Sequence, residues 1–146
     1  MHLTITDWRS DQTKLQQLRQ EVFILEQGVS AAEEWDGFDE TAIHFLLLDN
    51  HQQALGCARL LLEHDDTQQA LFHIGRVAIR KAYRQQGWGQ VLMRGVVAHC
   101  QQLNPQANIY LHAQLERLHF YQQLGFVTKG EKFIDAGIAH ICMYLK

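Results

Sequence analysis

The sequence is poor in the residues that mark secreted, membrane-spanning or multidomain proteins. It has one proline and no low-complexity tract or linker, so its 146 residues predict a single domain over 1–146. Three cysteines, Cys57, Cys100 and Cys142, are an odd number within apolar segments, which favours buried free thiols over disulfides. The apolar run 45–48 is far shorter than the roughly 20 residues that cross a bilayer, and the N-terminus lacks the pattern of a signal peptide. We therefore expect a cytoplasmic protein that does not act in a membrane.

Acidic residues are missing from the middle of the chain. Between Thr67 and Leu115 there is no Asp or Glu, and five basic residues give this stretch a charge of +5. Residues 1–66 hold thirteen of the sixteen acids against four basic residues, a charge of −9. This segregation suggests an anionic ligand at the middle and a cationic one near the first part, although chance clustering of solvated charge gives the same pattern. The overall charge of −3 argues against a nucleic-acid partner.

Hydrophobic periodicity predicts an α/β domain with a mixed sheet. Alternation over Leu3–Asp7 predicts a strand, and a helix capped by Asp11 or Ser10 follows and ends near Gly28. Residues 29–41 predict a long loop or a short second helix. The remaining elements are predicted as strands over 42–49, 54–63 and 71–80, a helix over 89–103, a strand over 108–113, a helix over 116–124, and strands over 126–134 and 138–145.

The segment RQQGWGQ, residues 84–90, lies between a predicted strand and a predicted helix. It lacks the Gly-Lys-Ser/Thr ending of a Walker A loop, and the third glycine of a dinucleotide fingerprint would fall on Leu92. A glycine-bearing helix N-terminus still offers unpaired amides to an anion, and Arg84 adds a donor fork. On this segment alone, a phosphate site and a plain connecting turn are about equally supported.

Two motifs in the right order and separation resemble the GCN5-related N-acetyltransferase (GNAT) superfamily. The first is Tyr83–Gly89 after the strand residues 77–79, and the second, about thirty residues on, is FYQQLGF at 120–126. The segments VFILEQ at 22–27, EWDGFD at 34–39 and DAGIAH at 135–140 resemble the ElaA-like bacterial branch. The resemblance implies the GNAT (acyl-CoA N-acyltransferase) fold, a mixed, mostly antiparallel sheet flanked by helices.

The same resemblance implies acetyl-CoA as a co-substrate and no metal. Two strands would splay apart to admit the pantetheine arm, with Gly75 marking a bulge or a close packing contact. The loop amides would bind the pyrophosphate, while Gln114 replaces an asparagine that many members carry, and the direction of the Trp88 ring is open. The implied cofactor-binding residues are Val77, Ala78, Ile79, Arg84, Gln85, Gln86, Gly87, Trp88, Gly89, Gln90, Gln114 and Arg117.

The implied reaction is direct attack of a primary amine on the acetyl thioester in a ternary complex. Tyr121 matches the family's proton donor to the leaving thiolate, although a core aromatic role is the alternative. A lysine-like amine with a pKa of about 10.4 is rarely neutral at pH 7, so a base would help, and Glu26, Glu34 and His73 are candidates. The residues expected to border the amine are Gln27, Asp36, Arg76 and His140.

A CoA-binding sensor without turnover is the alternative function. Nine histidines form no H-x-x-x-H or H-x-x-E-H pattern and have no cysteine pair beside them, so no metal site is predicted. The expected partner is a small-molecule or peptide amine. A homodimer is also compatible with the resemblance, because GNAT domains often form dimers.

Overall fold

Seven strands form one sheet in the order β1-β2-β3-β4-β5-β7-β6. The computed structural model describes residues 1–146. All neighbouring strands are antiparallel except β4 and β5, which are parallel. The predicted α/β fold with a mixed, mostly antiparallel sheet is therefore confirmed. The strands are β1 His2–Thr6, β2 Ile43–Leu48, β3 Ala54–His64, β4 Ala70–Ile79, β5 Asn108–Gln114, β6 Phe126–Asp135 and β7 Ile138–Leu145.

The first helix begins earlier than the sequence pattern predicts. Asp7 is the N-cap, because its carboxylate accepts a hydrogen bond from the Ser10 amide at 2.8 Å. Asp11 instead accepts from the Thr6 hydroxyl at 2.6 Å, so the prediction of Asp11 or Ser10 as the cap is wrong. The α-helices are α1 Trp8–Arg19, α2 Ala31–Glu34, α3 Trp88–Leu103 and α4 Leu118–Gln123, with short 3₁₀ turns at Lys81–Tyr83 and Leu115–Arg117.

A π-helix over Gln20–Glu26 continues α1 and ends just before Gly28. This wider helical form is rare and often lies near functional sites. Gly28 has a φ of +76°, a left-handed conformation that ends the helix where the sequence predicts. Ser30 then caps the single turn of α2 by accepting from the Glu33 amide at 3.2 Å, so 29–41 contains both a loop and a short helix.

Each face of the sheet carries its own apolar core. On one face α3 buries Leu92, Met93 and Val96 against strand residues such as Phe72 and Ile74. On the other face α1 and the π-helix bury a second cluster against β2, β3 and the end of β4. Fully burying one such side chain contributes about 1.5–3 kcal/mol, so these two clusters hold the layers together. The three cysteines are free: two are buried and Cys142 is half-buried.

Strands β4 and β5 pair only at their first halves, over 71–74 and 108–111. Beyond Ile74 and Leu111 they diverge, β4 continuing beside β3 and β5 beside β7. We call the space between the diverging halves the β4–β5 gap. It is the splay that the family resemblance implies.

A bulge in β4 shapes one side of this gap. Gly75 lies opposite Arg59 and Ala78 opposite Cys57, so β4 has one residue more than β3 at this point. The left-handed residue is Arg76, with a φ of +50°. A Cβ on Gly75 would meet no atom within 4 Å, so the close-packing interpretation of Gly75 is wrong.

Candidate active site

A cleft of about 1520 Å³ passes through the β4–β5 gap. This volume exceeds the roughly 300–1,000 Å³ of a typical small-molecule site, so it can hold two ligands. Leu111 and Ala113 belong to the core under α3 and α4, and His112 between them points to the opposite face of the sheet. The gap therefore connects the N-terminus of α3 on one face with His73 and His112 on the other. Two ligands can approach each other through the sheet.

The loop at residues 84–90 presents a series of free amides to this cleft. The Arg84 amide bonds to the Lys81 carbonyl at 3.3 Å and the Val91 amide to the Gly87 carbonyl at 3.2 Å. None of the six amides between them, 85–90, has a carbonyl partner, and no side chain caps the helix. Free amides at the N-terminus of a sixteen-residue helix are suited to a phosphate group.

The two loop glycines serve different purposes. Gly87 has a φ of +86°, and a Cβ there would meet no atom within 4 Å. It is required by the backbone conformation. A Cβ on Gly89 would lie 3.2 Å from two ring carbons of Phe120, so Gly89 is needed for close packing of α3 against α4. The two sequence motifs are therefore in contact with each other.

Arg84 and Glu26 form a bidentate ion pair. The Arg84 Nη1 and Nη2 atoms donate to the two carboxylate oxygens at 2.5 and 2.9 Å, and Nε donates to the Ile79 carbonyl at 2.8 Å. The hydrogen bond from Arg84 lowers the pKa of Glu26, which weakens it as a base. The structure thus pairs the Arg84 guanidinium with the Glu26 carboxylate, and their expected roles as phosphate ligand and base stay predictions.

Three arginines and three acids beside the cleft form a buried set of ion pairs, which we call the ion network. The Glu34 carboxylate forms ion pairs with Arg19, whose Nε is 2.8 Å away, and with Arg76, whose Nε is 3.1 Å away. Asp36 receives two hydrogen bonds from Arg59, at 2.8 and 2.9 Å. The network consists of Arg19, Arg59, Arg76, Glu34, Asp36 and Asp39.

The ion network holds three of the residues predicted at the amine site, Glu34, Asp36 and Arg76, and all three line the cleft. Glu34 is 2% exposed and paired with two arginines. Burial alone would raise the pKa of Asp36, but hydrogen bonds from Arg59 and the Phe38 amide outweigh it and hold the pKa at about 2. Arg76 Nη2 donates to the Glu33 and Glu34 carbonyls and to Asp36, so it fastens residues 33–36 to the β4 bulge. The three acids of the network are therefore paired with its three arginines.

Tyr121 lies on α4 against the cleft, on the α3 side of the sheet. Its ring meets Phe120 and Phe126 edge to face, at 5.0 and 6.1 Å between centroids. The residue is 8% exposed, and no protein group hydrogen-bonds to its hydroxyl. Burial raises the pKa of Tyr121 to about 12, so the proton stays on the hydroxyl at neutral pH. Tyr121 is therefore both a core aromatic and an available proton donor.

His73 lines the cleft from the other face of the sheet. Its Nδ1 is 3.5 Å from Glu63 Oε2, and its ring stacks on Tyr110 at 4.4 Å. The Tyr110 hydroxyl donates to the other Glu63 oxygen at 2.5 Å. Burial lowers the pKa of His73 despite the nearby carboxylate, so the ring is neutral at pH 7 and can accept a proton. Sequence reasoning missed Glu63 and Tyr110, because single polar residues in a β pattern give no signal.

Most of the other residues predicted to bind the cofactor or the amine also line the cleft, and they differ in their contacts and exposure. Gln114 Nε2 donates to Gln27 Oε1 at 3.0 Å, and both line the cleft. His140 also lines it, donating through Nδ1 to the Ile138 carbonyl at 2.7 Å. Arg117 is exposed at its edge. The other lining residues predicted for the cofactor are Val77, Ala78, Ile79, Gln85, Gly87, Gly89 and Gln90.

The side chains of Gln86 and Trp88 are not part of the cleft lining. Gln86 Nε2 donates to the Ala82 carbonyl at 3.2 Å, and Trp88 is half-buried. Only the backbone amides of these two residues remain as candidates to bind a phosphate group. No group of three His, Cys, Asp or Glu residues is placed to hold a metal ion, and no helix is long and apolar enough to cross a membrane.

The seven-stranded sheet with its β4–β5 gap has the GNAT (acyl-CoA N-acyltransferase) fold. Residues 10–146 match the model of the Acetyltransferase (GNAT) domain, and the chain belongs to this family. It is 35% identical to Protein ElaA of Escherichia coli over 130 residues, which are 88% of this chain and 82% of ElaA. The predicted family and its ElaA-like branch are therefore confirmed.

Solved structures support the same assignment. The crystal structure of Escherichia coli ElaA matches with a TM-score of 0.86 and 30% identity, covering 99% of both chains. An acyl-CoA N-acyltransferase from Pseudomonas aeruginosa matches with a TM-score of 0.83 and 30% identity, again over 99% of both chains. Arabidopsis thaliana NAA60 in complex with acetyl-CoA shares the fold at 14% identity, with a TM-score of 0.72 over 98% of this chain and 97% of that one.

Proposed function

We propose that the protein transfers the acetyl group of acetyl-CoA to a primary amine by direct attack in a ternary complex. The observation that carries the proposal is the β4–β5 gap, with free amides and Tyr121 on one face of the sheet and His73 on the other. Family membership supports acetyl transfer, and this arrangement supports the two-ligand form of the reaction.

In this proposal the amides of residues 85–90 bind the pyrophosphate of acetyl-CoA. Lys81 and Arg117 line the same cleft and add positive charge, since Arg84 is held by Glu26. The pantetheine arm runs along β4 beyond Ile74, where that strand has no β5 partner. The residues Val77 to Ile79 border it on one side and Gln114 on the other.

The proposed chemistry divides two proton transfers between the two faces of the sheet. The amine nitrogen forms a bond to the thioester carbonyl carbon, and the carbon–sulfur bond breaks. His73 accepts the proton that the amine loses, and Glu63 stabilises the charged imidazole. The Tyr121 hydroxyl donates a proton to the leaving sulfur. General acid or base groups of this kind typically contribute 10²–10⁴-fold to a rate.

An amine-dependent assay tests this proposal. Thiol release from acetyl-CoA is followed with a panel of amines, and the acetylated product is identified by mass spectrometry. We expect turnover with at least one amine, and Tyr121→Phe should lower kcat by about 10²-fold while the Kd for CoA changes little. Tight CoA binding without turnover of any amine would instead favour the non-catalytic sensor.

A further inference from the structure

The lining of the cleft carries no net charge. Five acids line the whole cleft and five basic residues balance them, so the lining is formally neutral. Glu34 and Asp36 belong to the ion network. Glu33 is exposed and accepts from the neutral Ser30 hydroxyl at 2.9 Å, so it keeps its charge, as do Glu63 beside His73 and Asp135 at the end of β6. A ligand with several positive charges would therefore meet these three carboxylates together with the basic residues of the same lining.

Aromatic rings cover this same face of the sheet. His73 stacks on Tyr110, and Tyr110 stacks on Tyr144 at 5.4 Å between centroids. His112 meets Phe133 edge to face at 5.1 Å, and Phe133 stacks on His140 at 5.8 Å. We call these six side chains the ring wall: His73, Tyr110, His112, Phe133, His140 and Tyr144.

The ring wall includes the proposed base, and three of its members, His73, His112 and His140, line the cleft. Helix α1 packs on β2, β3 and β4, whereas most of the ring wall lies on β5, β6 and β7. Phe38 also lines the cleft, is 56% exposed and has no aromatic partner. Ring faces and edges both favour contact with another flat ring, and ring faces attract a nearby cation.

We infer that the acceptor is an arylalkylamine, a single primary amine joined by a short chain to an aromatic ring. The amine is placed at His73 and Glu63, and the ring packs among His112 and Phe38. This inference rests on the proposed N-acetyltransferase function and specifies its substrate class. The products are an N-acetylated arylalkylamine and free CoA thiol, with the amine proton taken by His73 and the sulfur protonated by Tyr121.

A matched set of acceptors tests the inference. We compare kcat/KM for phenethylamine, for hexylamine, for spermidine and for a short peptide with a free N-terminus. Phenethylamine should exceed hexylamine by about 3- to 10-fold, because a ring–ring contact contributes about 0.5–1.5 kcal/mol beyond buried area. It should exceed spermidine by at least about tenfold, because spermidine carries three charges and no ring.

Two variants test whether Phe38 and His112 cause the preference for phenethylamine. Phe38→Leu and His112→Leu should each raise KM for phenethylamine several-fold, with little change for hexylamine or for acetyl-CoA. Ile134→Ala is the control, because Ile134 is exposed on β6 outside the cleft. Equal losses for both amines, or a preference for spermidine or the peptide, would overturn the inference and leave the proposed function intact. Absence of turnover with every amine would overturn both.

Discussion

Two charged regions border the cleft, and they use their acids in opposite ways. In the ion network, Glu34 is buried and both of its ion-pair partners are arginines. Glu63 is 37% exposed and faces a histidine and a tyrosine hydroxyl. The first region is rich in acids along the chain but has no charge left for a ligand. The second contributes one carboxylate beside the proposed base, so the number of acids in a segment does not predict where free charge lies.

The largest expected effect is on the free energy of unfolding, and it distinguishes the ion network from the region around Glu63. Arg19→Ala removes one of the two arginines that pair with Glu34 and one of the two that pair with Asp39, and breaking a buried ion pair from one side costs about 3–5 kcal/mol. We expect that loss in the free energy of unfolding, measured by urea denaturation. Arg9→Ala, at an exposed position on α1, should change it by less than about 0.5 kcal/mol. A small effect at Arg19 would contradict a structural role for the network.

The next effect is on the chemical step. His73→Asn should lower kcat by about 10²-fold, because the proposed base is lost, while the Kd for CoA stays nearly constant. The free energy of unfolding should change far less than for Arg19→Ala, since His73 lies at the cleft and has no buried charge partner of its own. If kcat were unchanged, the base would have to lie elsewhere and the contrast between the two regions would fail.

A smaller effect is expected at the free amides of the loop, which are proposed to bind the pyrophosphate without a charged side chain. Gly87→Val should weaken CoA binding about tenfold or more in a calorimetric titration, because the left-handed backbone is strained and a branched side chain crowds the amides. Gly130→Val is a matched control, since Gly130 has a φ of +84° on β6 and also an open Cβ position. It should cost comparable stability and leave CoA affinity intact. Equal losses of affinity would contradict the loop assignment.

The smallest expected effect is a difference between the pH at which activity is lost and the lower pH at which stability is lost. Burial lowers the pKa of His73 below 6.5, so the neutral ring and the activity should be lost only as pH falls through that lowered value. The folded-state pKa of Asp36 is about 2, below its unfolded value of 3.8. Its contribution to stability is therefore complete above pH 3.8 and lost as pH falls toward 2. A pH–rate profile should fall while the folded signal in circular dichroism is still intact.

The order of the elements and the cofactor loop could be predicted because their signals are local. Apolar spacing over 89–103 describes a helix, and the glycine loop before it, with FYQQLGF at the right distance, predicts a phosphate site. The helix cap was harder to predict, since Asp7, Ser10 and Asp11 are all acceptable N-cap residues. Only the hydrogen bond from the Ser10 amide to Asp7 distinguishes them.

The partners of the charged side chains could not be predicted in the same way. Arg84 pairs with Glu26, 58 residues earlier, and Arg59 pairs with Asp36, 23 residues earlier. Arg76 carries the β4 bulge although it is not a glycine, so its left-handed backbone has no local sequence signal. Each of these facts depends on which strand and loop become neighbours.

The sequence by itself determined the periodic elements, the glycine loop and the family, because these depend on residues that are close along the chain. The tertiary structure decided which acids are free, because a carboxylate's charge is available only if no arginine pairs with it and solvent can reach it. It also brought His73, Glu63 and Tyr110 together from three strands. Both properties come from contacts across the sheet, which no local pattern encodes.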